Sequence, residues 1–140
     1  MPSEHRLKRR VQFYETDLAG IVHFSWFFRY MEEAEHALWR AAGLSIAKFG
    51  EEVGYPRLAA NCQFHAPLRF EDEFEVRIRV AEITRRTMRY ECRLFLGETA
   101  IASGSTTIAC VSKKLGEPMK AIDFPANVAG RFEVGPAFSA

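Results

Sequence analysis

A chain of 140 residues, 48% of them hydrophobic, is long enough to bury one sizeable core and short enough to form one domain over 1–140. Its formal net charge of +1 excludes a protein whose main task is to coat nucleic acid. No stretch approaches the roughly 20 apolar residues of a membrane span, and the polar start Met1-Pro2-Ser3-Glu4-His5-Arg6 lacks a signal-peptide core.

Residues 6–14 read as a first strand, polar at its start, and 15–22 as a turn containing Gly20. A helix follows over 24–42. At about 100° per residue, Phe27, Tyr30, Met31, Ala34, Leu38, Ala41 and Ala42 share one face, with Arg29, Glu33, His36 and Arg40 opposite. Trp26, Phe28, Ala37 and Trp39 fill both flanks, so the helix must be largely buried. Gly43 is a natural C-cap. Residues 45–53 are expected to form a short second helix, ended by Gly54-Tyr55-Pro56.

The remainder reads as strands. Residues 58–66 lead into Pro67. In 73–80 Phe74, Val76, Ile78 and Val80 alternate strictly with charges, giving one face to a core and one to water. Residues 88–96 alternate similarly, Gly97-Glu98 makes a turn, and 99–112 form a long strand of small residues. The end of the chain, with Pro118, Pro125 and Pro136, is expected to be mostly irregular. One buried helix with several antiparallel strands indicates an α+β fold, a curved sheet wrapped around the helix. One helix cannot cover a whole sheet and edge strands need blocking, so pairing of protomers is expected.

Cys62, Cys92 and Cys110 are odd in number and form no CxxC, so they read as free thiols suited to a reducing compartment, by default the cytoplasm. His5, His23, His36 and His65 show no convergent metal spacing. Glu33 and His36 have the Glu-x-x-His spacing of di-iron bundles, but the further helices such a site needs are absent, and a solvated face is the expectation.

Asp17 carries the candidate chemistry. It sits on a turn between a strand and the N-terminus of a buried helix, whose first N–H groups lack internal partners and suit an oxyanion. A carbonyl polarised there could be attacked by Asp17, or by a water that Asp17 activates. One carboxylate can suffice when the leaving group is a thiol of pKa about 8.5. No GxSxG elbow offers another nucleophile. On spacing alone, Asp17 reads first as a cap and Gly20 as a turn glycine.

The segment Asp17-Leu18-Ala19-Gly20-Ile21-Val22-His23-Phe24, followed by an aromatic helix with Glu32, resembles the hot-dog-fold thioesterases of the 4-hydroxybenzoyl-CoA thioesterase family. Ala60-Asn61-Cys62-Gln63-Phe64, Ile83-Thr84-Arg85-Arg86-Thr87 and Lys120-Ala121-Ile122-Asp123-Phe124-Pro125 are similar to later stretches of that family. The resemblance implies a hot-dog fold and an acyl-CoA thioesterase assembled as a homodimer or homotetramer, with sites at subunit interfaces. It implies Asp17 as nucleophile or general base. It also implies the backbone N–H of Phe24, with that of His23, as the group polarising the thioester, and Gly20 as the residue letting the turn approach the substrate. Arg85, Arg86 and Lys120 would hold the CoA phosphates, with loop-end solubilisation the plain alternative. No cofactor is implied beyond the CoA of the substrate. His23 and Phe24 depart from the commoner Trp or Tyr and Tyr or His. Glu32 reads as a surface salt bridge, and Lys113 and Lys114 as solubilising charge. Competing functions are an enoyl-thioester hydratase or dehydratase and a non-catalytic acyl-CoA binding module.

Overall fold

The computed structural model describes residues 2–139. Five strands form the main antiparallel sheet: β1 (Glu4–Arg10), β3 (Arg57–Phe64), β4 (Glu73–Ile83), β5 (Thr87–Leu96) and β6 (Thr99–Ala109), in the order β1-β4-β5-β6-β3. Helix α1 (Trp26–Ala41) lies against one face. A small sheet of β2 (Val53–Gly54), β7 (Val111–Ser112) and β8 (Lys120–Ala121) sits at the end where α1 stops, followed by the helical turn α2 (Ala126–Ala129).

The alternation in β4 and β5 is realised residue by residue. Phe74, Val76, Ile78 and Val80 on β4 and Met88, Tyr90, Cys92 and Leu94 on β5 are buried, while Glu75, Arg77, Arg79, Glu91 and Arg93 turn outward. From the helix come Phe27, Tyr30, Met31, Ala34, Leu38 and Trp39. Each large apolar side chain buried this way contributes about 1.5–3 kcal/mol. Ala41, expected on the core face, is exposed in the last helical position. Gly43 closes the helix at φ +78°, with its N–H on Arg40 O and that of Leu44 on Trp39 O.

Three expectations are corrected. The first strand occupies Glu4–Arg10, not 6–14: Val11 still donates to Asp72 O, but Phe13–Glu15 coil into a 3₁₀ turn drawn inward by the Glu15 carboxylate. No helix forms over 45–53. Phe49 is fully exposed and only Ile46 and Val53 pack partly against the core, too little apolar surface to support helical turns, and Gly50 at φ +87° breaks the segment. Finally, 99–112 is two strands. At Cys110 the chain changes sheets, its N–H bonding Arg86 O and its carbonyl accepting from Ile122.

Among the described residues β1 and β3 are the edge strands of the main sheet, with no further strand paired outside them. β3 is exposed along nearly its whole length, including Leu58 and Phe64.

Candidate functional site

The loop between β1 and α1 is closed by a short ladder. The N–H of His23 donates to Glu15 O at 2.8 Å, Thr16 bridges Val22, and Asp17 N–H donates to Ile21 O at 2.9 Å. Val22 N–H ties the returning limb to Leu68 O. Asp17 O accepts from Gly20 N–H at 2.9 Å, and Asp17 Oδ1 accepts from Ala19 N–H at 2.9 Å, an Asx turn. Gly20 has φ +80°, a left-handed backbone that L side chains rarely adopt, although an added Cβ would meet nothing within 4 Å in this chain.

Asp17 is solvent-exposed. At the other end of the loop the chain enters α1 through two turns, Trp26 N–H to His23 O and Phe27 N–H to Phe24 O. The first N–H groups are unequally free. That of His23 is engaged by Glu15, and that of Ser25 points to His23 Nδ1 at 3.3 Å. The Phe24 N–H has no hydrogen-bond partner among the described residues. The His23 ring lies against Phe24, centroids 4.6 Å apart, with Nδ1 2.8 Å from Ser25 Oγ. It therefore acts as a local cap, holding Ser25 where Ser25 itself makes no side-chain cap bond.

Beneath the loop lies a cluster that sequence reasoning missed. Glu15 is completely buried. Its Oε1 accepts from Arg9 Nη1 (2.7 Å), Gln12 N–H (2.8 Å) and Tyr30 OH (2.9 Å), and its Oε2 from Arg9 Nη2 (2.5 Å). Arg9 also reaches Glu33 at 2.6 Å and lies over the Tyr30 ring, 4.6 Å from its centroid. Glu33 is thus held by an arginine and not by His36. Burial raises the Tyr30 hydroxyl well above its usual pKa, and Glu15 adds to this, so it stays a donor. One signal was available: Tyr30 lies on the predicted core face, and a buried tyrosine hydroxyl needs a partner. A second buried carboxylate, Glu35, is bound by Arg57 of β3 (2.8 Å for one of the two bonds), while Glu32 lies 3.4 Å from both Arg29 and Arg57.

The candidate phosphate ligands lie elsewhere. Arg85 and Arg86 occupy the β4–β5 turn, paired with Asp123 at 4.0 and 2.9 Å, and Lys120 is exposed on β8 nearby. The hydrogen bond from Arg86 holds the Asp123 carboxyl below its usual value. The Asp17 loop adjoins the first residues of β4, where Arg10 pairs with Glu73. The length of β4, at about 3.3 Å per residue, separates Asp17 from the arginines in one protomer. Lys113 and Lys114 are at the protein surface. Among the described residues no group of three or more His, Cys, Asp or Glu could hold a metal, and no helix is long and apolar enough to cross a membrane.

The sequence profile described as the thioesterase superfamily matches residues 19–103. A protein of Aquifex aeolicus (strain VF5), provisionally named an esterase, is 41% identical over 102 residues, 71% of this chain and 78% of the relative. The crystal structure of a hypothetical protein from Aquifex aeolicus is similar at a TM-score of 0.84 and 33% identity, over 92% of this chain and 99% of that one. The structure of a gentisyl-coenzyme A thioesterase is similar at a TM-score of 0.80 and 27% identity, over 89% of this chain and 99% of that one.

Proposed function

The chain belongs to the thioesterase superfamily and has its hot-dog fold and thioester-hydrolase activity; from that premise we infer that it hydrolyses an acyl- or aroyl-CoA, with Asp17 as the catalytic carboxylate. One observation carries the reading. Asp17 and the unpartnered Phe24 N–H flank one loop that a short ladder holds closed. A thioester carbonyl oxygen accepting the Phe24 N–H is polarised by it and by the positive end of α1. Asp17 then attacks the carbonyl carbon, giving a mixed anhydride that water cleaves, or takes a proton from the water that attacks. Either way the C–S bond breaks, the acid leaves, and the CoA thiolate departs with little need of a general acid. The reaction calls on no cofactor beyond the CoA of the substrate.

The His23 N–H, bound to Glu15 O, contributes no oxyanion bond; its ring shapes the helix entrance. Gly20 supplies the left-handed turn that exposes Asp17. Phe13, Tyr14, Phe24, Phe64 and Phe70 are all exposed, with Phe13 and Phe70 edge to face at 5.6 Å, a rim suited to a planar aromatic acyl group. The named activity of the gentisyl-coenzyme A relative is of the same kind. Arg85, Arg86 and Lys120 hold CoA phosphates from a second protomer, since one chain does not bring them to Asp17. Pairing through the open β3 edge into a homodimer or homotetramer supplies that protomer. The three free cysteines suit a cytoplasmic setting.

The deciding experiment follows thiol release from short, long and aromatic acyl-CoAs. Asp17→Asn is expected to lower kcat by about 10²–10⁴. Wild-type turnover by Asp17→Asn removes Asp17 from the mechanism, and no release from any thioester by the wild type refutes the reading as a whole.

A further inference from the structure

Glu15 is an expensive residue to bury. A buried carboxylate bound to an arginine is often no more stabilising than apolar groups of the same volume, so its presence asks for a reason beyond stability. Its contacts supply one. Through one carboxylate it joins β1 (Arg9), the 3₁₀ turn (Gln12) and the core face of α1 (Tyr30). Through its own carbonyl it takes the His23 N–H, closing the loop two residues from Asp17 and leaving the next N–H, that of Phe24, free. Arg9 braces the same joint from the far side by holding Glu33, one turn along α1 from Tyr30.

We propose that Glu15 is a positioning residue, its clamped carboxylate fixing the 15–23 loop so that Asp17 and the Phe24 N–H meet the same thioester carbonyl. This rests on the reading of Asp17 given above. Glu15 itself touches no substrate. It acts by holding two reacting groups in one frame, and a displacement near 1 Å in such a frame costs on the order of 100-fold in rate.

Glu15→Gln keeps the size of the side chain but turns an amide against Arg9. It is assayed on benzoyl-CoA together with wild type, Asp17→Asn and Tyr30→Phe, well below each melting temperature, with thermal unfolding and light-scattering mass recorded in parallel. The expected result is a kcat lower by about 30- to 100-fold with KM within about 3-fold, in a folded protein of unchanged mass. A purely structural role would lower the melting temperature and the active fraction without this split per folded site. Glu15→Gln that folds and keeps wild-type kcat, while Asp17→Asn is inactive, overturns the positioning role and leaves the Asp17 site standing. Wild-type kcat in Asp17→Asn instead overturns the site on which the role rests. Should Glu15→Gln not fold, Tyr30→Phe decides. It removes one of the four bonds with the Arg9 pair intact, and a kcat down about 10-fold at steady KM supports the role, whereas full kcat overturns it.

Discussion

The indole N–H of Trp39 donates to the Tyr90 hydroxyl at 2.8 Å, joining α1 to the centre of the sheet between two fully buried side chains. Burial, then the neighbouring Glu35 carboxylate, pushes the Tyr90 hydroxyl far above its usual pKa. Tyr90→Phe keeps the ring and strands the indole donor, a loss of about 1–3 kcal/mol. Urea unfolding should show a lower midpoint at an unchanged slope. An unmoved midpoint would mean that the bond contributes nothing to stability.

Gly104 lies on β6 opposite both Cys62 of β3 and Cys92 of β5. A Cβ built there lands against the Asn61 carbonyl oxygen and 3.0 Å from Met31 Sδ on the helix. The thioether can move but the strand cannot, so Gly104→Ala is expected to destabilise by about 2–4 kcal/mol, at the upper end of the range for single substitutions. A melting temperature within a degree or two of wild type would show that β3 shifts without cost.

Acid stability should report on Glu15. Burial alone would raise its carboxyl, but the Arg9 hydrogen bonds, the Gln12 N–H and the Tyr30 hydroxyl outweigh it and hold the group below its usual 4.5. With the native pKa depressed, the unfolded chain binds the proton more tightly. The stabilisation is complete above pH 4.5 and is lost as pH falls through the native value. Chemical unfolding at stepped pH should give a shallower loss of stability below pH 4.5 in Glu15→Gln than in wild type. Parallel slopes would contradict the assignment.

On the proposed reading Arg85 and Arg86 grip the phosphates of CoA and touch nothing at the acyl end. Replacing both with Ala should raise KM for benzoyl-CoA by about 10-fold, as loss of uniform binding does, and leave kcat unchanged. KM for the same acyl group on N-acetylcysteamine, a thiol without phosphates, should not move. An equal rise for both thioesters would show that the arginines act on the fold.

On the proposed reading the open β3 edge pairs with a second copy of the chain. Light scattering should give a mass of at least twice 16.0 kDa. Leu58→Asp, which places a charge on an exposed β3 side chain, should shift the mass toward one chain. A wild-type mass of one chain would remove the paired edge from the picture.

Much of the scaffold was legible because it rests on short-range periodicity. Phe74 to Val80 alternate with charges, and the apolar stripe from Phe27 to Leu38 recurs at helical spacing; burial simply follows both patterns. The failed helix over 45–53 shows the limit, since Ile46 and Phe49 suit a helix but no surface awaits Phe49. Asp17 and Gly20 were legible as a turn beside a helix. The clamp beneath them was not, because Arg9, Glu15, Tyr30 and Glu33 meet only after β1 and α1 are packed together. Nor could spacing say that the His23 N–H is spent on Glu15 O while its neighbour's is free.

The length of β4 between Asp17 and the Arg85–Arg86 pair has a genetic consequence. On the proposed reading each site draws its carboxylate from one chain and its phosphate grip from another. At acyl-CoA concentrations well below KM, where both are impaired, an Asp17→Asn allele and one with both arginines replaced would then complement each other when co-expressed. In every mixed dimer one site inherits both lesions and the other inherits neither.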